Sequence, residues 1–217
     1  MQHRAALLIS AFVFSRALAA ESAAPTADDA QQQSIQDTLP LCAAWHGEEG
    51  RSLTPEWPSL AGQHAGYLVE QLQMLRDSRR YDSTMTPMAR TLSDGEITAL
   101  ADYYSRLALP EPRATANDVQ LGKALYEQGR TADGIQACRD CHGAEGRGDP
   151  AVGAPAVRGQ NTVYSQKQLE MYAAGTRYRA PDGKQHDSAN AQIMNAQARN
   201  LTKEDIQSVA AYLESMR

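Results

Sequence analysis

Phenylalanine is almost missing from this chain: the only two, Phe12 and Phe14, fall in its first fourteen residues. Everything beyond them builds its interior from Leu, Ala, Ile, nine Tyr and two Trp, or borrows apolar bulk from a ligand. Three cysteines are too few for a disulfide scaffold. No apolar run reaches the roughly 18–20 residues that a membrane-spanning helix needs, which excludes an integral membrane bundle. An excess of base is lacking too: 21 Lys+Arg face 26 Asp+Glu, a net of −5, which argues against a nucleic-acid partner. Residues 20–110 hold no lysine at all, only six Arg against 13 acids, for −7. Residues 111–217 balance 13 Lys+Arg against 13 acids, so the whole imbalance lies in the earlier half. An acidic half of this kind steers a molecule toward a basic patch on its partner.

What is present begins with an address label. His3 and Arg4 precede the apolar run Ala5 to Phe14, and Ala17-Leu18-Ala19 follows it. Residues 1–20 therefore read as a secretory signal cleaved near Ala20, with an uncleaved anchor as the alternative because Arg16 sits late. Without residues 1–19 the chain has 19 Lys+Arg against 26 acids, a net of −7.

The strongest organisational signal is an internal repeat. Cys42-Ala43-Ala44-Trp45-His46-Gly47 recurs 96 residues later as Cys138-Arg139-Asp140-Cys141-His142-Gly143. At offset 97, Pro58-Ser59-Leu60-Ala61-Gly62-Gln63 recurs as Pro155-Ala156-Val157-Arg158-Gly159-Gln160. Tyr67, Gln71-Leu72 and Arg80-Tyr81 match Tyr164, Gln168-Leu169 and Arg177-Tyr178 at that same offset. The second copy then gains twelve residues, after which Met85, Leu92 and Ile97 match Met194, Leu201 and Ile206. The division expected is a signal over 1–20, a first domain over 21–109, a linker over 110–115 and a second domain over 116–217.

Each copy reads as helical. Ser93-Asp94-Gly95-Glu96 has capping-box spacing and Thr202-Lys203-Glu204-Asp205 is its acidic near-equivalent; each precedes an amphipathic run. Similar periodicity over Tyr67–Leu75 and Tyr164–Tyr172 predicts a central helix in each copy. The Gly- and Pro-rich stretches 47–58 and 143–155 read as loops. No segment alternates well enough to form a sheet, so the fold class expected is mainly α.

Cys138-x-x-Cys141-His142 is the spacing of covalent c-type haem attachment. Thiols at i and i+3 share one helical turn, so both reach the vinyl groups on one porphyrin edge. His142 then lies under the ring as an iron ligand. A zinc half-site lacks two further ligands at suitable spacing, and a dithiol switch lacks its βαβ context. Met194 and Met85, at equivalent repeat positions in what read as loops before a helix, are the candidate second axial ligands. A methionine is otherwise core filler, a reading that suits Met88 and Met171.

These motifs resemble those of the dihaem cytochromes c4, which carry two class I cytochrome c domains in tandem, and the resemblance covers about residues 36–217. It rests on Cys-x-x-Cys-His-Gly in the second copy and on Pro-x-Leu-Ala-Gly-Gln-His and Met…Leu-Ser-Asp in the first. The resemblance implies a periplasmic electron carrier rather than an enzyme, with a terminal oxidase or a periplasmic dehydrogenase as redox partner and association with a membrane complex. It also implies that the carbonyls of Pro58 and Pro155 accept the axial histidine N–H and fix each ring. Arg80 and Arg177 are candidate partners of haem propionates, with a solvated surface arginine as the alternative. Gly62-Gln63 and Gly159-Gln160 read as turn and packing positions.

The first copy departs from the pattern at Trp45, which stands where the second thiol belongs. Cys42 can make only one thioether, while His46 and Met85 still form an axial pair. Three outcomes stay open: haem held by one thioether, haem held without a covalent link, or no haem, with Trp45 filling part of the pocket. Folding energetics lean toward haem, because a single Leu→Ala cavity already costs about 2–5 kcal/mol and a missing macrocycle leaves far more space. A haem subunit or enzyme of a dehydrogenase or oxidase system, its first domain an open haem site or a docking module, is the alternative function.

Overall fold

The computed structural model describes residue 33, residues 35–113 and residues 119–216; the signal segment lies outside them. The described residues are helical, with isolated bridges in place of strands.

Among the described residues, four α-helices build the first half: α1 (Leu39–His46), α2 (Ala65–Arg76), α3 (Met85–Ala89) and α4 (Asp94–Ser105). Five build the second: α5 (Gln120–Gln128), α6 (Arg139–His142), α7 (Thr162–Ala173), α8 (Ala189–Ala198) and α9 (Lys203–Ser215). The central helices expected from periodicity are α2 and α7. Both capping boxes form: Ser93 accepts from the Glu96 N–H and Thr202 from the Asp205 N–H, while each acid reaches back to the cap backbone.

In the first half α2 packs on α4 around Ile35, Leu68, Leu100 and Tyr104, with Cys42 against this cluster. In the second, α9 packs on α5 and α7 around Leu125, Tyr126, Val209 and Leu213, with Cys138 beside it. The α5–α9 crossing is close because Gly122 has no side chain. A Cβ there would lie 2.1 Å from the Ser208 carbonyl oxygen, and the Gly122 N–H instead donates to Ser208 Oγ at 2.8 Å.

Two segments differ from the sequence reading. Met85 opens α3 and Met194 lies inside α8, so neither stands in a loop. Ser188 caps α8, its Oγ accepting from the Ala191 N–H, and the helix-forming stretch that follows carries Met194 into its second turn. Part of the twelve-residue gain folds into a tight turn closed by the Arg179–Gln185 bridge.

Candidate cofactor site

Each Cys-x-x-x-His segment ends a short helix in the same way. Gly47 and Gly143 both take φ of 77°, a conformation that favours glycine, and their N–H groups bond back to Ala43 and Arg139. The chain therefore stops one residue after each histidine and turns away. A loop then returns a proline carbonyl to the ring: His46 Nδ1–H donates to Pro58 O at 2.8 Å, and His142 Nδ1–H to Pro155 O at 2.9 Å.

These bonds fix the tautomer, leaving each Nε2 as the lone-pair nitrogen. Burial lowers the pKa of both rings, outweighing the opposing pull of the proline carbonyls, so both are neutral near pH 7. His46 is 5% exposed, and its Nε2 is buried without a partner. A buried ligand nitrogen in this state calls for an electrophile.

One continuous cavity of about 800 Å³ runs past both histidines. Cys42, Trp45, His46 and Met85 line one end of it, and Cys138, Cys141, His142 and Met194 the other. Met85 is set by Asp82, whose Oδ1 accepts from the N–H groups of Thr84 and Met85 at 3.0 and 2.9 Å. Trp45 does not fill the cavity. It packs on Trp57 with ring centroids 4.4 Å apart and stays 38% exposed.

All three cysteines are free thiols. Burial raises the Cys42 thiol above its usual value and pushes Cys138 up to about 11. A dithiol switch needs a thiolate near neutral pH, so this environment suits sulfur that bonds carbon better than sulfur that exchanges.

Between the halves lies a buried polar cluster. Arg177 is 2% exposed, lines the cavity and donates from Nη2 to Tyr67 Oη at 3.0 Å. Its guanidinium also lies over the rings of Tyr172 and Tyr178, while Nη1 has no partner. A buried cation whose neighbours are neutral phenols leaves room for an anion. Its repeat equivalent, Arg80, is half-buried and donates to Gln71 at 2.9 Å and to Tyr164 and Gln168 across the interface. Neither is the solvated surface arginine that the sequence left open.

Gln63 and Gln160, read from sequence as packing positions, instead bond across the interface. Gln63 pairs with Ala156 and Gln160 with Ser59. Asn161 joins them, donating from Nδ2 to the Thr54 and Trp57 carbonyls. The signal that could have found the glutamines is the repeat itself, which keeps Gln at both positions where packing alone asks for no polar side chain.

The chain is similar to known proteins along most of its length. The cytochrome c family profile matches residues 119–217. Cytochrome c4 of Pseudomonas aeruginosa is 34% identical over 81% of this chain and 84% of its own. A thiosulfate dehydrogenase electron acceptor of Thiomonas intermedia is 34% identical over 79% of this chain and 76% of its own. The crystal structure of reduced recombinant cytochrome c4 from Pseudomonas stutzeri superposes with a TM-score of 0.75 at 30% identity, covering 88% of this chain and 98% of that one.

Proposed function

This chain belongs to the cytochrome c4 family of electron-carrying c-type cytochromes, and from that premise we propose that it carries two haems, one in each half. In the second half Cys138 and Cys141 would tether the macrocycle, and His142 Nε2 and Met194 would hold the iron. In the first half Cys42 would make a single thioether, and His46 and Met85 would hold the iron. The observation that carries the first site is the buried, unpartnered Nε2 of His46 in a cavity that Trp45 leaves open.

Bound iron supplies a one-electron couple. The protein's own residues do the rest. Pro58 and Pro155 hold each imidazole against rotation and raise its donor strength. The apolar walls exclude water, which favours a weak thioether ligand over a solvent molecule. Arg177 and Arg80 offer charge to the haem carboxylates between the halves, so the two centres share one buried polar seam.

The chain is read as exported to the periplasm, with residues 1–20 removed. No helix among the described residues is long and apolar enough to cross a membrane. Its partner class is a periplasmic dehydrogenase or a terminal oxidase. The similarity to an electron acceptor of thiosulfate dehydrogenase supports the first. The acidic first half is the surface that steers this encounter, so electron transfer to a basic partner should slow as ionic strength rises. A rate indifferent to salt would remove that role.

The deciding measurement is a pyridine haemochrome spectrum against independently quantified polypeptide. Two haems per chain are expected, with a band displaced from that of a purely two-thioether protein. In Trp45→Cys the band should move to the two-thioether position at unchanged stoichiometry. One haem per chain with an ordinary band would leave the first half a docking module.

A further inference from the structure

The two proline carbonyls that hold the axial histidines are not isolated acceptors. Each belongs to a peptide unit whose other end is gripped by the opposite half of the molecule. The Pro155 carbonyl shares its peptide bond with the Ala156 N–H, which donates to Gln63 Oε1 at 2.9 Å. The Pro58 carbonyl shares its peptide bond with the Ser59 N–H, which donates to Gln160 Oε1 at 2.9 Å.

Both glutamines bind in two places. Gln63 Nε2 donates to the Ala156 carbonyl at 2.9 Å, and Gln160 Nε2 to the Ser59 carbonyl at 3.0 Å. Each side-chain amide thus covers both polar groups of one residue, as a neighbouring strand would. The amide orientation is over-determined, because each Oε1 also accepts from the next backbone N–H, of His64 at 3.0 Å and of Asn161 at 2.9 Å. A flipped amide would set its NH₂ against two N–H donors. Gln63, Ala156 and Ser59 are buried, so water does not compete for these bonds.

A peptide unit is a resonant group, and pulling on its N–H makes its carbonyl oxygen a stronger acceptor. A stronger acceptor at Nδ1 makes the imidazole a stronger donor at Nε2. Gln63 therefore acts on His142, 79 positions away in the chain, and Gln160 acts on His46. The relation is reciprocal and crosses the interface both ways.

We propose that Gln63 and Gln160 are positioning residues that set the donor strength of the axial histidine in the opposite half, so that docking of the halves tunes each centre from across the seam. The proposal rests on the haem placement given above. It makes the interface part of each ligand set: a motion that parts the halves weakens the histidine hydrogen bonds of both.

The test is the Nδ1–H resonance of each axial histidine, read by NMR in the reduced full-length protein. Gln63→Met keeps the bulk and removes both hydrogen bonds. It should move the His142 ring proton upfield, leave that of His46 in place and raise the reduction potential of the second centre. Gln160→Met should do the converse. Should Gln63→Met not fold, Gln63→Asn withdraws the amide by one methylene and carries the same expectation.

A merely structural role would loosen the seam and move both ring protons together, and that result overturns the proposal. So does a His142 proton that stays put in haem-loaded Gln63→Met. Absence of haem from either half is read separately in the absorption spectrum; it sinks the haem placement and leaves the cross-interface hydrogen bond to be judged by the ring proton alone.

Discussion

The two halves hold their histidines alike and differ in the sulfurs beside them. His46 and His142 each follow a short helical turn, each precede a glycine at φ 77°, and each donate to a proline carbonyl within 3 Å. Yet α6 and its N-cap carry the thiols of Cys141 and Cys138, where α1 carries one thiol, Cys42, and Trp45. The clamp and the tether are thus separable. The clamp depends on a helix stop and a returning loop, both written in backbone conformation, and a Trp rather than a Cys at position 45 disturbs neither. Trp45 adapts by packing outward on Trp57. The difference extends to the seam, where Asn161 bonds the loop that carries Trp57 while its repeat equivalent His64 keeps a buried Nε2 without a partner. The first half has one thiol where the second has two, and it is held by more of its neighbour's polar side chains.

The sharpest way to break this comparison is to remove the clamps one at a time. On the proposed haem placement, His142→Ala and His46→Ala each delete an iron-binding nitrogen, and each strands a proline carbonyl. Each should abolish the low-spin spectrum of one centre and cost on the order of 3–5 kcal/mol, through cavity and lost hydrogen bond together. The comparison predicts an asymmetry in haem retention. With two thioethers the second half keeps its macrocycle after His142→Ala, whereas with one the first half should lose a larger share of its haem after His46→Ala. Equal retention, measured by haem stoichiometry after gel filtration, would show that the single thioether suffices.

What the sequence made legible was local, and what it hid was long-range. The capping boxes at Ser93 and Thr202 and the periodicity of α2 and α7 were readable because their causes lie within a few residues. The repeat supplied two halves, since one pattern had to fold once to fold twice. Met85 and Met194 read as loop residues because each stands seven residues before the leucine that leads into the last helix of its copy, yet α3 and α8 form around them. Arg177 is a buried cation because Tyr67 and Gln71, which only the docked halves bring to it, close over a guanidinium already flanked by its near neighbours Tyr172 and Tyr178. The pairing of Gln63 with Ala156 spans 93 residues and leaves no mark in either segment taken alone.

A smaller difference between the halves is electrostatic. In the second, Arg130 grips Asp205 through two bonds of 3.0 and 2.7 Å, tying the segment after α5 to the start of α9. The Asp205 side chain is 3% exposed, and the Arg130 guanidinium, with help from the Thr202 cap, holds its carboxyl down to about 2. The folded pKa lies below the carboxyl's ordinary value of 3.8, so the stabilisation is complete above pH about 4 and is lost as pH falls toward about 2. Its size is on the order of 2 kcal/mol at neutral pH. The corresponding acid of the first half, Glu96, is half-buried and bonds to its own cap rather than to an arginine. Acid should therefore loosen the second half more than this cap loosens the first. Asp205→Asn should cost about 2 kcal/mol at pH 7 and nearly nothing at pH 2, as read from denaturant melts.

The finest contrast lies in the caps themselves. Ser93→Ala removes one side-chain acceptor from an exposed helix start and should cost about 1 kcal/mol. Thr202→Ala removes the same kind of acceptor, but the Thr202 N–H also donates to Asp205 Oδ2 at 2.8 Å and the hydroxyl accepts from the Asp205 N–H at 3.1 Å. That carboxylate is the one Arg130 holds, so loosening the cap loosens an ion pair that closes the second half. The cost should accordingly rise toward about 2 kcal/mol, the upper end for a cap. A double-mutant cycle decides whether the surplus belongs to the pair. Thr202→Ala in the Asp205→Asn background should fall back to the Ser93→Ala value, because the residues share one network and their effects cannot add. If the two losses add instead, the cap and the ion pair act independently and the halves differ in their acids alone.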